Sequence, residues 1–191
     1  MPVQGLLLAA GAGRRFGGPK LLQPLDDGTP VGLAAARNLR LALGEVLAVL
    51  RSGEGELAAL LAAEPGVRTL ACPKAELGMG HSLASGVRAS AGADGWVIAL
   101  GDMPWLHPST IVQVARWLES GAPIVAPEYR GRRGHPVGFG RAFGPDLMAL
   151  SGDKGAQELL RRNRGGLQRF PCDDPGCLAD IDHPSDLSGP G

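Results

Sequence analysis

A glycine-rich segment that carries two cations follows the first apolar run of the chain. Val3–Ala9 is largely apolar and is predicted to be a buried strand, and residues 11–20 contain four glycines. A strand that runs directly into glycines leaves backbone N–H groups in open space, where phosphate oxygens can accept hydrogen bonds. Arg15 and Lys20 can neutralise a triphosphate, the guanidinium as a fork and the ammonium as a point charge. The segment predicts a phosphate-binding loop, although its spacing also fits an ordinary glycine-rich turn.

Two familiar phosphate loops are excluded by the spacing of this segment. A dinucleotide-binding fingerprint needs a third glycine three residues after Gly13, where Phe16 stands. A Walker A loop needs Lys and then Ser or Thr directly after its second glycine, but Pro19 follows Gly18.

A carboxylate lies directly after the most convincing internal strand. Gly95–Leu100 is apolar, and Gly101–Pro104 breaks it with Asp102 in the turn. Ligands of α/β sheets bind at the carboxyl ends of strands, and a carboxylate there can hold Mg²⁺ against phosphates. Asp is also common in such turns because of its local hydrogen bonds alone.

Two further carboxylates alternate near the end of the chain. Asp180 and Asp182 would point to the same side of an extended segment and could converge on one metal. The competing interpretation is a solvated turn in which Asp182 or Ser185 caps the last short helix.

Basic residues and one histidine occupy the loop over residues 130–140. Arg130, Arg132 and Arg133 could contact anions, and His135 could contact an anionic or heterocyclic substrate. A lone loop histidine is more often simply exposed. No Ser/His/Asp or Cys/His arrangement for nucleophilic catalysis stands out.

Strand and helix patterns alternate along the whole chain, which predicts an α/β fold: a three-layer α/β/α domain with a mostly parallel, doubly wound sheet. We expect a single domain over residues 1–187 and a frayed tail over 188–191. Further strands are predicted at Glu45–Leu50, Val67–Cys72, Pro123–Ala126, Pro136–Phe139 and Leu167–Cys172, and helices at Pro30–Leu43, Glu54–Glu64, Gly78–Ala91, from Pro108, and at Lys154–Asn163.

Composition narrows the class of protein. Lys plus Arg and Asp plus Glu both number 19, so nothing supports a broad nucleic-acid-binding surface. The three cysteines form no C-x-x-C pair, which makes a zinc site or a disulfide framework unexpected. No signal peptide and no apolar run of about 18 residues is present, so we expect a cytoplasmic protein without a membrane anchor.

Leu8–Lys20 resembles the L-A-A-G-x-[SG]-x-R-[MF]-G-x-x-K signature of the MobA-like nucleotidyltransferases. Within that superfamily the chain is most similar to the molybdenum cofactor cytidylyltransferases. Four segments extend this resemblance in the expected order, and a fifth departs from the usual D-I-D-T-P only at His183; the five are Gly78–Leu83, Gly101–Pro104, Gly134–Pro136, Gly152–Ala156 and Asp180–Pro184.

The resemblance implies a role for each matching residue. The nucleotide would be bound by Leu8, Ala9, Ala10, Gly11, Gly13, Arg15, Lys20, Gly80, Ser82 and Asp102, with Ala10 and Ser82 near the base. The second substrate, a phosphorylated pterin, would contact Gly134, His135, Pro136 and Asp153. Lys20, Arg15 and Asp102 would be catalytic, and Mg²⁺ would be held by Asp102 with Asp182 or Asp180.

The reaction implied is transfer of CMP from CTP to molybdopterin with release of pyrophosphate. Leu8-Ala9-Ala10-Gly11 resembles the cytidylyl branch, because guanylyl-transferring relatives have a glycine where Ala10 stands. A molybdoenzyme or its chaperone would be the protein partner. Three alternatives stay open: GTP as donor, another phosphorylated acceptor such as a sugar phosphate, and a carrier that binds the pterin without transferring a nucleotide.

Overall fold

The computed structural model describes residues 2–11, 13 and 16–190. The strands are β1 (Gln4–Leu8), β2 (Val46–Arg51), β3 (Val67–Cys72), β4 (Gly95–Leu100), β5 (Ile124–Tyr129), β6 (Arg132–Arg133), β7 (Val137–Gly140) and β8 (Leu167–Pro171). The α-helices are α1 (Val31–Leu43), α2 (Gly55–Ala62), α3 (Met79–Ala89), α4 (Pro108–Glu119), α5 (Gly144–Met148) and α6 (Gln157–Arg162).

One mixed sheet joins these strands in the order β3-β2-β1-β4-β7-β5-β6, and β8 pairs with β5. Strands β1 to β4 pair in parallel, whereas β7 is antiparallel to both β4 and β5. Strand β5 therefore runs in the same direction as β4, and β8 pairs with it in parallel. The predicted mostly parallel sheet is confirmed.

Two hydrophobic cores cover the two faces of the sheet, because alternate residues of each buried strand point to opposite sides. Leu7 and Val97 belong to the core that includes residues of α1, α2 and α4, and Leu6 and Ile98 belong to the core that includes residues of α3, α5 and α6. Helices on both faces make the three-layer α/β/α architecture, which confirms the predicted fold class.

The structure departs from the predicted elements mainly in the second half of the chain. Strand β5 extends to Tyr129, three residues beyond the predicted end, and the two-residue strand β6 and the short helix α5 were not predicted. The last 3-10 helix is Pro184–Ser188, so it continues one residue past the predicted domain end. None of the helices in the described part of the chain is long and apolar enough to cross a membrane.

Candidate nucleotide and metal site

The glycine-rich loop leaves the sheet at its centre. Ala9 is still held by the sheet, since its N–H donates to the carbonyl of Val49 at 2.9 Å. Gly13 then adopts a φ of +57°, and its carbonyl accepts hydrogen bonds from the N–H groups of Phe16 and Gly17. A Cβ at Gly13 would lie 2.7 Å from the carbonyl oxygen of Gly18, so this turn needs glycine for both conformation and space.

Lys20 begins the 3-10 helix that follows the loop, and its ammonium reaches two of the predicted carboxylates. Nζ donates to Oδ2 of Asp102 at 2.8 Å and lies 3.8 Å from Oδ1 of Asp182. The Lys20 side chain is only 11% exposed, so these charges interact with less screening than a surface pair has. The structure thus brings together three residues that are widely separated in sequence.

Three carboxylates converge beside this lysine. Ligand oxygens of Asp102, Asp180 and Asp182 lie within 4.8 Å of one another. Oδ1 of Asp102 is buried and has no hydrogen-bond partner among the described residues. Carboxylate oxygens are the ligands that hard divalent cations prefer, so this donor set fits Mg²⁺ or a similar ion.

Backbone hydrogen bonds fix the carboxyl-terminal pair of aspartates. The Ile181 N–H donates to the carbonyl of Asp102 at 3.0 Å, which ties the two segments together. Oδ2 of Asp186 accepts from the N–H groups of His183 and Asp182, and these bonds lower the pKa of Asp186. His183 is the N-cap of the last 3-10 helix, so the alternative that Asp182 or Ser185 caps it is wrong.

A cavity of about 740 Å³ opens next to the Lys20–Asp102 pair. Of the residues predicted to bind substrates or metal, it is lined by Leu8, Ala10, Gly11, Gly13, Lys20, Ser82, Asp102, Asp153 and Asp182. A second cavity of about 360 Å³ shares the glycine-rich loop with it. Both are also lined by Arg51, which the sequence analysis missed although it ends strand β2 at the same edge of the sheet.

The far wall of the large cavity is formed by the start of α3. Ser82 is 3% exposed and lines the cavity, while Gly78 and Gly80 pack directly on the backbone of residues 151–153. The Gly80 N–H donates to the carbonyl of Gly152 at 2.8 Å. This packing places Asp153 on the wall of the same cavity as Ser82, and its role in binding the second substrate stays a prediction.

Some predicted nucleotide residues lie elsewhere. Ala9 is 1% exposed in the core because strand alternation turns its side chain away from the cavity, and Gly80 lines neither described cavity. Only backbone contacts with a ligand are therefore open to Ala9. Arg15 lies outside the residues that the structure describes.

The predicted acceptor loop packs against the carboxyl-terminal segment. His135 N–H donates to the carbonyl of Cys177 at 2.8 Å, and Pro136 is buried. Nδ1 of His135 is buried without a hydrogen-bond partner among the described residues, so the default of an exposed loop histidine is wrong here. Burial, and then the nearby charge of Arg133, lower the pKa of His135 to about 4 even though Asp180 acts in the opposite direction.

The order of the strands sets the order of these groups along one edge of the sheet. The glycine-rich loop follows β1, and Asp102 follows the neighbouring strand β4. Because β7 is antiparallel to β4, its first residue, Val137, pairs with Ile98 near the same edge. His135 therefore lies on the side of Asp102 opposite to the glycine-rich loop, and does not line either of the two cavities described above.

Residues 5–167 match the family model of the MobA-like NTP transferase domain, and the chain belongs to this family. It is 36% identical to the purine catabolism protein PucB of Bacillus subtilis over 95% of this chain and 92% of that protein. It is 34% identical to the nicotine blue oxidoreductase of Paenarthrobacter nicotinovorans over 94% of this chain and 92% of that protein.

Solved structures agree with this assignment. A nucleotidyl transferase from Methanothermobacter thermautotrophicus, Mth528, has a TM-score of 0.80 at 26% identity, covering 97% of this chain and 94% of that one. The manganese complex of Rv0371c from Mycobacterium tuberculosis has a TM-score of 0.78 at 27% identity, covering 97% and 96%. The acidic cluster described above fits a divalent metal in this chain as well.

Proposed function

We propose that this chain transfers CMP from CTP to the phosphate of molybdopterin during maturation of the molybdenum cofactor. The observation that carries the proposal is the meeting of Lys20, Asp102 and Asp182 on the wall of the cavity that the glycine-rich loop lines. A cation and converging carboxylates beside a cavity of about 740 Å³ suit transfer of a nucleotidyl group. A cytoplasmic location, and a molybdoenzyme or its chaperone as partner, belong to the same proposal.

The chemistry needs no nucleophile from the protein. An oxygen of the acceptor phosphate forms a bond to the α-phosphorus of CTP, the bond from that phosphorus to the bridging oxygen breaks, and pyrophosphate leaves. The protein contributes positioning and neutralisation of charge. Lys20, with Arg15 on the same loop, would stabilise the charge that develops on the departing pyrophosphate.

A divalent cation would complete this neutralisation. Asp102, with Asp182 or Asp180, would hold it, and it would reduce the negative charge on the phosphate oxygens. The buried Oδ1 of Asp102 supports this role, because a carboxylate oxygen that is buried without a partner costs free energy unless a ligand binds it.

Selectivity for cytosine would come from the residues around the base. The Ala10 methyl takes space that a second glycine would leave open, and guanine is the larger base. Ser82, buried at the opposite wall, can donate to or accept from the edge of a pyrimidine. Asp153 lies on the same side and can accept from the cytosine amine.

A carrier that binds the pterin without catalysis is less well supported. A pure binding protein needs neither a cation for a leaving group nor a cluster of metal-binding carboxylates, and this chain has both next to one cavity. The names of the two relatives, a purine catabolism protein and a nicotine blue oxidoreductase, do not specify an acceptor for a nucleotidyl group.

Pyrophosphate release tests the proposal directly. The protein is incubated with Mg²⁺, molybdopterin and equal concentrations of CTP and GTP, and the dinucleotide products are separated. We expect mainly the cytosine dinucleotide, and a shift toward the guanine product for Ala10→Gly. A mainly guanine product would disprove the cytidylyl assignment, and binding of molybdopterin without pyrophosphate would favour the carrier.

A further inference from the structure

Arg133 is a half-buried cation that has no ion-pair partner among the described residues. Its Nη1 is buried and has no hydrogen-bond partner among the described residues. Glu128 faces it directly across the β5–β6 pair, yet the carboxylate of Glu128 accepts from Arg169 at 3.2 Å instead. Burial, and then the charge of Arg169, lower the pKa of Arg133. A buried polar group left in this state in a native protein usually marks a site for water, an ion or a ligand.

The position of Arg133 is on the acceptor side of the proposed reaction centre. Strand β6 pairs with β5, which follows β4 and β7 in the strand order, so Arg133 lies past Asp102 when counted from the glycine-rich loop. Cross-strand pairing puts Arg133 on the same face as Ala126, whose core also contains Val137 and α3. Arg132 pairs with Tyr129 and therefore belongs to the opposite face.

His135 lies within electrostatic reach of both Arg133 and a metal-cluster carboxylate. The charges of Arg133 and Asp180 both affect its pKa, in opposite directions. The imidazole also has a buried nitrogen, Nδ1, that lacks a partner among the described residues. Two residues of one short segment thus each have a buried polar atom without a partner among the described residues, and of these two only Arg133 can supply positive charge at neutral pH.

We propose that Arg133 binds the acceptor's phosphomonoester, with its guanidinium fork on the phosphate oxygens that do not attack and the imidazole of His135 near the same phosphate. A planar guanidinium matches two oxygens of a phosphate, which a lysine cannot do. The third oxygen then forms the bond to the α-phosphorus while pyrophosphate departs toward Lys20. This inference rests on the proposed function, since it assigns the anchor of its second substrate.

Binding of a simple phosphomonoester tests the site without any turnover. Phenyl phosphate is titrated into the protein while the imidazole signals of the four histidines are followed by NMR, with His135 assigned from the spectrum of His135→Asn. We expect the His135 signal to move in the wild type and in the control Arg132→Ala. In Arg133→Gln the apparent Kd should rise about tenfold or more, the loss expected for a charge-assisted hydrogen bond.

Steady-state kinetics with CTP and molybdopterin provide the second readout. Arg133→Gln should raise the KM of the acceptor about tenfold or more and leave the KM of CTP unchanged, and Arg133→Lys should recover only part of the loss. The Lys variant retains the charge and serves as the test protein if the Gln variant does not fold.

The outcomes separate the two proposals. A wild-type protein that releases no pyrophosphate from CTP and molybdopterin contradicts the proposed function, whereas the phenyl phosphate titration still decides whether Arg133 binds a phosphomonoester. An unmoved His135 signal in the wild type, or equal phenyl phosphate affinity in wild type and Arg133→Gln, overturns the anion site.

Discussion

At the scale of single residues, the candidate site is marked by polar atoms that are buried but have no hydrogen-bond partner among the described residues. Lys20 occupies Oδ2 of Asp102, while Oδ1 of the same carboxylate stays buried without a partner among the described residues. One carboxylate can therefore fix the lysine and still offer an oxygen to a cation. Because Asp102 would serve both functions, we expect its substitution to reduce turnover more than substitution of the other site residues.

Asp102→Ala should reduce turnover by about 10²–10³-fold, the usual loss when one electrostatic contact at a reacting centre is removed. The variant leaves Lys20 with Asp182 at 3.8 Å as its remaining carboxylate partner among these residues and removes one oxygen ligand of the cation. Pyrophosphate release at saturating substrates measures the effect. Asp146→Ala, on the exposed surface of α5, is the matched control and should retain normal activity. Near-normal turnover in a folded Asp102→Ala protein would exclude Asp102 from the reaction.

Cys177 should be chemically inert near neutral pH. Burial, and then the neighbouring Cys172 thiol, raise its pKa to about 12, and the two free sulfurs lie 3.9 Å apart. Only the thiolate reacts with iodoacetamide, so at pH 8 Cys172, which is half-buried, should be labelled much faster than Cys177. Peptide mass spectrometry after timed labelling gives both rates. In Cys172→Ser the thiol of Cys177 should stay slow, because burial is the larger cause of its raised pKa; rapid labelling there would contradict this account.

Among the reactive residues, those next to the end of an apolar strand could be predicted from the sequence, and those that depend on pairing could not. Lys20 and Asp102 follow recognisable strands, so their nearness follows from the rule that ligands bind at the carboxyl ends of parallel strands. Arg133 carries no such signal. Its importance depends on Glu128 being taken by Arg169, which is known only once β5, β6 and β8 are paired.

At the scale of elements, glycines mark where loops from distant parts of the chain touch. Gly134 packs against Cys177, so the loop that carries His135 lies in direct contact with the segment that leads to Asp180 and Asp182. A Cβ at Gly134 would lie 2.5 Å from Sγ and 2.7 Å from the carbonyl oxygen of Cys177. Because the carbonyl is backbone, it cannot rotate away as a side chain would.

Gly134→Ala should therefore lower the free energy of unfolding by about 1–3 kcal/mol, as overpacking of a filled interior does. It should also raise the KM of the acceptor more than that of the triphosphate, because the displaced loop carries His135. Urea unfolding and steady-state kinetics measure the two effects. Gly140→Ala is the control, since its Cβ would meet nothing closer than 3.4 Å and its φ of −70° suits alanine. Equal free energies of unfolding for the two variants would show that the loop around Gly134 can shift to accommodate the added methyl group.

Element prediction succeeded where the pattern is local and failed where it is not. A strand such as Gly95–Leu100 can be predicted from its continuous apolar run, and its predicted bounds agree with the structure. Strand β6 has two residues, both arginine, and exists only because β5 is long enough to pair with it. The position of Asp153 was equally hidden, because it depends on contact between residues 151–153 and the start of α3.

At the scale of the whole molecule, ligand binding should be visible as stability. A ligand that binds only the folded state adds about 2.7 kcal/mol at a concentration of 100 times its Kd. Mg²⁺ with CTP should thus raise the Tm of the wild type, and Mg²⁺ with GTP should do so less at the same concentration. Removing Mg²⁺ with EDTA should reduce the gain, since the phosphates then lose their counter-ion.

Lys20→Ala should lose most of this thermal shift, because the triphosphate loses a cation in a position that is largely shielded from solvent. Arg162→Ala removes an exposed cation that pairs with Glu158 on the surface of α6, and should keep the full shift. The same increase in Tm for Lys20→Ala and wild type would mean that the glycine-rich loop is a structural turn only.

The arrangement of groups along the sheet edge also bears on how such a protein could be re-engineered for another acceptor. The glycine-rich loop and Asp102 follow strands among β1 to β4, whereas β5 to β7 would carry the proposed acceptor side. A chimera joined between α4 and β5 would therefore be expected to exchange the two parts independently. The two parts are not independent, because the loop at residues 151–153, in the second half of the chain, packs on Gly78 and Gly80 beside the large cavity. A chimera with a new second half must retain that loop, or the shape of the cavity proposed to bind the nucleotide will change as well.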